Sequence, residues 1–357
     1  MKASHLGLTQ ATNEESSDKQ RGDCPAWIKS YIKFQEKEMS NNSSKVLAYS
    51  CCGRRGHLCG GIAERILAMM EAAKLAEYSQ RVVAFQWCTS GSIERMLQPN
   101  LIDWRLMFND KRLESLPDHE ERGWDSIAAS AVTKEKVRSG ADAVVRIKLT
   151  NNLADKSAKL PRYQLEANHI VDSSCLFHAL FRPSSKVEKG MRDIRRLLFG
   201  SEDTPYLAVD LQLSAFEAGV EKQKFTQFTA FMTVLSCARI LADINSITAP
   251  ILLLTDHPLL QQQLRDGLIK GFVTTPRQQH GEPLLKADGD LNSAMEEVLL
   301  TGVESLGLLG SSKCLITSPT DSSRVSELWG RHRCVVSIEQ CISYHAKHKE
   351  KRALKDI

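Results

Sequence analysis

Apolar positions along this chain fall into two stretches in which short buried runs alternate with helical periods, a looser one before residue 200 and a regular one after it. In the first, KVLAYS (45–50) reads as a strand, CCGRRGHLCGG (51–61) as a glycine-rich loop, and IAERILAMMEAAKLAEYS (62–79) as a helix with apolar positions Ile62, Ile66, Met69, Met70, Ala73 and Leu75. RVVAFQW (81–87) follows as a second strand. Strand, loop, helix and strand make a βαβ unit, whose right-handed crossover favours a parallel sheet. ADAVVRIKL (141–149) predicts another strand, and CLFHALF (175–181) with RPSSKVEKGMRDIRRLLFG (182–200) predicts two helices parted at Pro183. From 90 to 139 the pattern loosens around Pro99, Pro117 and the charged run DHEERGWD (118–125), which predicts an insertion or a lid.

GSEDTP (200–205) breaks the pattern and marks a domain boundary. Beyond it the spacing predicts strands at 206–214, 250–256, 271–275, 313–318 and 334–338, with helices at 223–245, 259–268, 291–310 and 321–330 between them. Such alternation indicates a doubly wound parallel α/β sheet. The whole chain then reads as two α/β domains facing each other across a cleft, and sheets of this kind take ligands outside the carboxyl ends of their strands. Residues 1–44 read as a polar tail holding one helix at 27–39, and 341–357 as a basic tail.

Composition narrows the class without choosing an activity. The 357 residues are 42% hydrophobic and 25% charged, an ordinary globular balance long enough for two domains. Lys and Arg number 47 against 43 Asp and Glu, so the net charge is only +4 and no nucleic-acid groove is expected. No apolar run is long enough for a transmembrane helix, and the first 25 residues lack the apolar core of a signal peptide. The ten cysteines form neither a dense disulfide scaffold nor paired CxxC zinc ligands, so Cys51, Cys52 and Cys59 read as buried thiols and the redox compartment stays open. Two overlapping glycosylation sequons stand in NNSS at 41–44 and matter only in a secretory lumen.

Four places offer chemistry. The loop GRRGHLCGG (53–61), with Gly60, Gly61 and then Arg65 on the helix, suits a phosphate at a helix start; a tight strand-to-helix turn explains the glycines equally well. Asp210, Gln212 and Ser214 alternate along one strand face, where they meet a ligand or a solvated seam. Asp256, in Thr255-Asp256-His257, stands at a strand end where capping of the next helix is its default role. Ser318, Thr320, Ser322, Ser323 and Arg324 lie at another helix start, where an N-cap and an anion site are both expected. The histidines fix no catalytic dyad, and neither a Ser-His-Asp order nor HExxH occurs.

Taken in order, these pieces resemble the GDP-fucose-dependent fucosyltransferase superfamily, which includes α1,6-, plant-type and protein O-fucosyltransferases. The resemblance runs from about Lys45 to Ile338. It is carried by CGGIAERILAMMEAAKLAEYSQRVVAFQW (59–87), LQPNLIDWR (97–105), PILLLTDHPLLQQQL (250–264) and AMEEVLLTGVESLGLLGSSKCLITSPTDSSRVSEL (294–328). It implies a GT-B type fold of two Rossmann-like domains, acceptor-side at 45–200 and nucleotide-sugar-binding at 201–340. It further implies transfer of fucose from GDP-fucose to a glycan or protein hydroxyl with inversion, and no bound metal or other cofactor. The expected partners are therefore a nucleotide-sugar donor and a glycan or protein acceptor, in the ER or Golgi lumen where such enzymes mostly work.

This sequence departs from the family pattern where charge matters most. The H-x-R motif that neutralises the departing pyrophosphate corresponds to Asp210-Leu211-Gln212, so an acid replaces the His and an amide replaces the Arg. In the first block, Ala63 and Glu64 stand where the family has Gly and Asn or Asp, while Arg65 is kept. Two functions follow as expectations: a diverged glycosyltransferase in which Arg65, Arg324 or the Arg54-Arg55 pair compensates, or a catalytically impaired relative that binds nucleotide sugar or glycan, or partners an active enzyme. A GT-B enzyme using another donor sugar stays open.

Overall fold

The computed structural model describes residues 24–39, 45–51, 61–87, 93–105, 120–122, 144–150, 167–213, 227–276, 291–331 and 334–343. Gly60, the Arg54-Arg55 pair and Ser214 lie outside these residues, as do the predicted loop at 52–60 and both terminal tails beyond 24 and 343. The chain divides into two compact units, one built from 21–187 with 287–300 and the other from 188–286 with 301–357. Each is α/β and has its own parallel sheet.

The first unit runs α1 (Ala26–Met39), β1 (Val46–Cys51), α2 (Ile62–Tyr78), β2 (Val82–Trp87), β3 (Leu97–Pro99), β4 (Glu120–Arg122), β5 (Val144–Thr150), α3 (Ala167–Leu180) and β6 (Phe181–Pro183). Strands pair in the order β2-β1-β5-β4, all parallel, with Val46 of β1 opposite Val82 and Val144. The predicted βαβ unit is present. Its helix buries Ala63, Ala68, Ala72, Ala73 and Ala76 together with Ile66, Met69 and Met70, so small side chains let the backbone approach the strands closely.

Two expectations for this unit are corrected. The helix at 26–39 is not part of a polar tail, because Ile28, Tyr31 and Gln35 are buried. Gln35 Nε2 donates to Val83 O at 3.4 Å and to Asp103 O at 3.0 Å, and its Oε1 accepts from Val83 N at 3.3 Å. The amide thus stands in for a neighbouring strand along the open edge of β2. The stretch 93–105 is core rather than lid: Ile93, Met96, Leu97, Ile102 and Trp104 are fully buried, and β3 pairs antiparallel with β6. Trp104 packs on Phe85 and Phe181 and donates its Nε1–H to Leu180 O at 2.8 Å, satisfying the one polar atom of a buried indole.

The second unit runs α4 (Ser185–Phe199, from residue 188), β7 (Leu207–Leu211), α5 (Gln227–Ile244), β8 (Ile251–Thr255), α6 (Pro258–Arg265), β9 (Phe272–Val273), α7 (Leu291–Gly310, from residue 301), β10 (Cys314–Thr317), α8 (Asp321–Gly330) and β11 (Val335–Ser337). Its strands lie in the order β11-β10-β7-β8-β9, all parallel. β7, β8 and β10 are buried along their whole length, which is why they read as unbroken apolar runs. One face packs Val209, Leu253 and Ile316 against Val234, Ala238 and Leu241 of α5; the other packs Ala208, Leu252 and Leu315 against Ile194 of α4 and Leu308 and Leu309 of α7. Helices on both faces make this the doubly wound sheet expected. The chain steps outward from β7 to β9 and then returns to place β10 beside β7, so the winding reverses between those two strands.

Candidate functional site

A sheet of this kind opens a crevice at the carboxyl ends of its strands where the winding reverses, because the connections leaving the two strands go to opposite faces. Here that point lies between β7 and β10. Asp210, the penultimate residue of β7, is 1% exposed and meets the loop that leaves β10. Ser318 bridges the two strand ends: its N and Oγ both donate to Asp210 O, at 3.1 and 2.7 Å, while its Oγ accepts from Gln212 N at 2.9 Å.

The Asp210 carboxylate has three donors. Ser323 Oγ donates at 2.6 Å, Gln212 Nε2 at 2.7 Å and Thr320 Oγ1 at 3.4 Å. Thr320 is the N-cap of α8 and accepts from Ser323 N at 3.3 Å, so the carboxylate sits against the first turn of that helix. The amino end of a helix attracts an anion, and here the anion is supplied by the protein. Burial pushes the Asp210 carboxyl well above its ordinary range; the three hydrogen bonds pull it back down, and the like charge of Asp256 adds to the rise.

Asp256 departs from its expected role. The N-cap of α6 is His257, followed by Pro258 at the first helical position, and Asp256 Oδ1 instead accepts from Leu213 N at 2.7 Å across the strand ends. It ties the chain leaving β7 to β8. Arg324 follows on the first turn of α8, with its Nε buried and without a hydrogen-bond partner. Its charge lowers the Glu327 carboxyl, which burial raises and which Thr317 also hydrogen-bonds. Asp210, Gln212, Ser318, Thr320 and Ser323 therefore form one hydrogen-bonded group at the switch point, with Asp256 bonded beside it to Leu213 N and Ser322 and Arg324 on the adjoining turn. No group of three or more metal-ligating side chains stands together among the described residues.

The remaining predicted residues belong to the first unit. Gly61 is the N-cap of α2, and its N–H donates to Glu64 Oε2 at 2.8 Å. A Cβ at Gly61 would meet nothing within 4 Å and its φ is −70°, so the described residues do not require glycine there. Glu64 at this helix start repeats the arrangement of Asp210, a carboxylate of the chain itself in the place where an external anion would bind. Arg65 is 7% exposed on the inner side of α2. Burial weighs against its charge, and Tyr49 of β1 and Glu64 favour it.

No family model matches the chain, and no curated protein does. Among solved structures it is similar to a point mutant of Arabidopsis thaliana FUT1 in complex with GDP, at 12% identity and a TM-score of 0.47, covering 91% of this chain and 80% of that one. It is also similar to the α-1,6-fucosyltransferase NodZ soaked with GDP-fucose, at 10% identity and a TM-score of 0.45 over 81% of this chain and 93% of that one. NodZ from Bradyrhizobium gives 10% identity and a TM-score of 0.44 over 80% and 93%. These three solved structures are fucosyltransferases, at a level of likeness that leaves the functional argument to the chain's own residues.

Proposed function

We propose that this chain is a glycosyltransferase of the fucosyltransferase type, which takes GDP-fucose at the carboxyl ends of the second sheet and transfers fucose to a glycan or protein hydroxyl with inversion, without a bound metal. The carrying observation is that three sequence segments singled out as places for chemistry, around Asp210, Asp256 and Ser318–Arg324, meet at the switch point of a doubly wound sheet. Breaking the bond to GDP builds charge on the leaving pyrophosphate, and fixed donors aimed at that charge lower the barrier. Gln212, the hydroxyl of Ser322, and Arg324 are the groups proposed to meet the donor in this unit, while Ser318, whose hydroxyl is committed to Asp210 O, holds the Gln212 backbone in place.

A second reading is favoured by Asp210. A buried acid at the start of α8, with an amide two residues on, supplies no positive charge to a leaving diphosphate. Loss of one such transition-state contact costs about 10²–10³ in rate. In this reading the chain binds nucleotide sugar or glycan without turning it over, or partners an active enzyme.

Purified full-length protein is tested with GDP and GDP-fucose by thermal shift and, with candidate acceptors, by GDP release. Stabilisation together with acceptor-dependent release supports transfer, and stabilisation alone supports the second reading. The absence of both overturns the nucleotide-sugar site. Turnover gained on Gln212→Arg with Asp210→His identifies this strand end as the seat of the chemistry; a folded double variant without gain places it elsewhere.

A further inference from the structure

Among the described residues no cysteine is free. Cys24 pairs with Cys175, Cys237 with Cys341, and Cys314 with Cys334, with Cα–Cα distances of 5.6, 5.8 and 4.7 Å, all within the range a disulfide spans. Two of the three pairs converge on one margin of the second sheet. Cys314 opens β10 and Cys334 immediately precedes β11, so one bridge joins the amino ends of these neighbouring strands. Cys341 lies in the helical turn at 338–343 that follows β11, and its bridge to Cys237 ties that turn down onto α5.

What lies between the bridges needs holding. β11 is a sheet edge of three residues, paired on one side only, through Val335, Val336 and Ser337, and Val335 is 37% exposed. So short an edge strand is weakly held by its own ladder. The four sulfur-bearing residues are between 0 and 6% exposed and belong to the apolar core shared with α5, so reduction would leave buried thiols and free both ends of β11 together. In a reducing cytosol such pairs are kept as thiols.

We infer that the second unit completes its α8–β11 margin by oxidation, and that the chain matures in an oxidising compartment. Each closure breaks two S–H bonds and forms one S–S bond. The two protons and two electrons pass to a thiol-disulfide oxidant, which is left as a dithiol. The 104-residue separation of Cys237 and Cys341, against 20 for Cys314 and Cys334, makes the former the larger constraint on the unfolded chain in the loop-entropy description.

The test uses the full chain made in an oxidising secretory host, alkylated without reduction and mapped by peptide mass spectrometry. Hydrogen exchange is then followed in native buffer before and after reductant. The expected result is three linked peptide pairs, with protection over 321–343 falling on the order of tenfold or more on reduction while β7 and β8 lose less. Alkylation of these six cysteines as thiols overturns the inference, as does unchanged protection and unfolding midpoint after their complete reduction. The double variants Cys237→Ser/Cys341→Ser and Cys314→Ser/Cys334→Ser are measured alongside. Each is expected to lose protection in 321–343, the first more than the second, and wild-type protection in both counts against the clamp.

Discussion

Ser323, in the first turn of α8, donates its hydroxyl to the carboxylate of Asp210, at the end of β7, at 2.6 Å across 113 residues of chain. This bond fastens the helix that follows β10 to the strand beside it and places a carboxylate of the chain itself against the helix start. Its consequences are measurable without knowledge of any ligand.

The first concerns pH. The Asp210 carboxyl is held above its ordinary range of about 3.8 chiefly by burial. An unfolded chain therefore releases this proton at lower pH than the folded one, and the stability the group contributes, full below the ordinary value, is lost as pH rises through the folded value. Asp210→Asn keeps the shape and removes the titration. The stability of the wild type relative to this variant is expected to decline from about pH 4 upward and then level off, read as urea midpoints across pH. A difference independent of pH would show that Asp210 does not titrate abnormally.

Ser323→Ala removes the shortest of the three donors to a buried carboxylate. The expected cost is about 1–3 kcal/mol, with the declining limb of the pH profile displaced to higher pH because the charged form has lost a partner. Denaturant unfolding of the single variant and of its combination with Asp210→Asn checks this: the two effects should be less than additive, since they remove one interaction.

In the first unit, Gln35 tests whether the N-terminal helix is structural. Gln35→Ala leaves the N–H and C=O of Val83 without their side-chain partners at the edge of β2, at an expected cost of about 1–3 kcal/mol. Lys33→Ala, on the exposed side of the same helix, is expected to stay within about 0.5 kcal/mol of wild type. Equal effects would mean that α1 is held by something other than its inner face.

Trp104 separates packing from hydrogen bonding. It is fully buried against Phe85 and Phe181 and bonded to Leu180 O. Trp104→Ala is expected to cost about 3–5 kcal/mol. Trp104→Phe keeps a ring and loses the N–H donor, so a smaller loss is expected, with intrinsic fluorescence and thermal melts as the readout.

Gly190 of α4 lies where an added Cβ would collide with the Glu304 carboxylate of α7, a side chain 2% exposed. Gly190→Ala gains helix propensity but forces that buried carboxylate aside, for a net loss of about 1–3 kcal/mol. A stabilised variant in thermal denaturation would show that the α4–α7 contact yields easily.

Local pattern was enough to determine much of this protein. Unbroken apolar runs such as LAVDL and ILLLT, separated by helical periods, imposed a parallel sheet covered on both faces, because a strand buried on two sides needs no alternation and a parallel crossover needs a helix. Thr320 as a helix cap was equally legible, since capping depends on neighbours three residues apart. Contacts between distant residues were not. Asp256 looked like the cap of its own helix and bonds to Leu213 instead; Asp210 looked like a strand-face acid and is enclosed by α8; Trp27–Met39 looked like a helix in a tail and seals a sheet edge. Six cysteines without a motif spacing became three bridges. Short-range periodicity records which side of an element is buried, whereas partners separated by twenty to one hundred and fifty residues meet only once the sheet order and the crossovers have set which strand ends are neighbours.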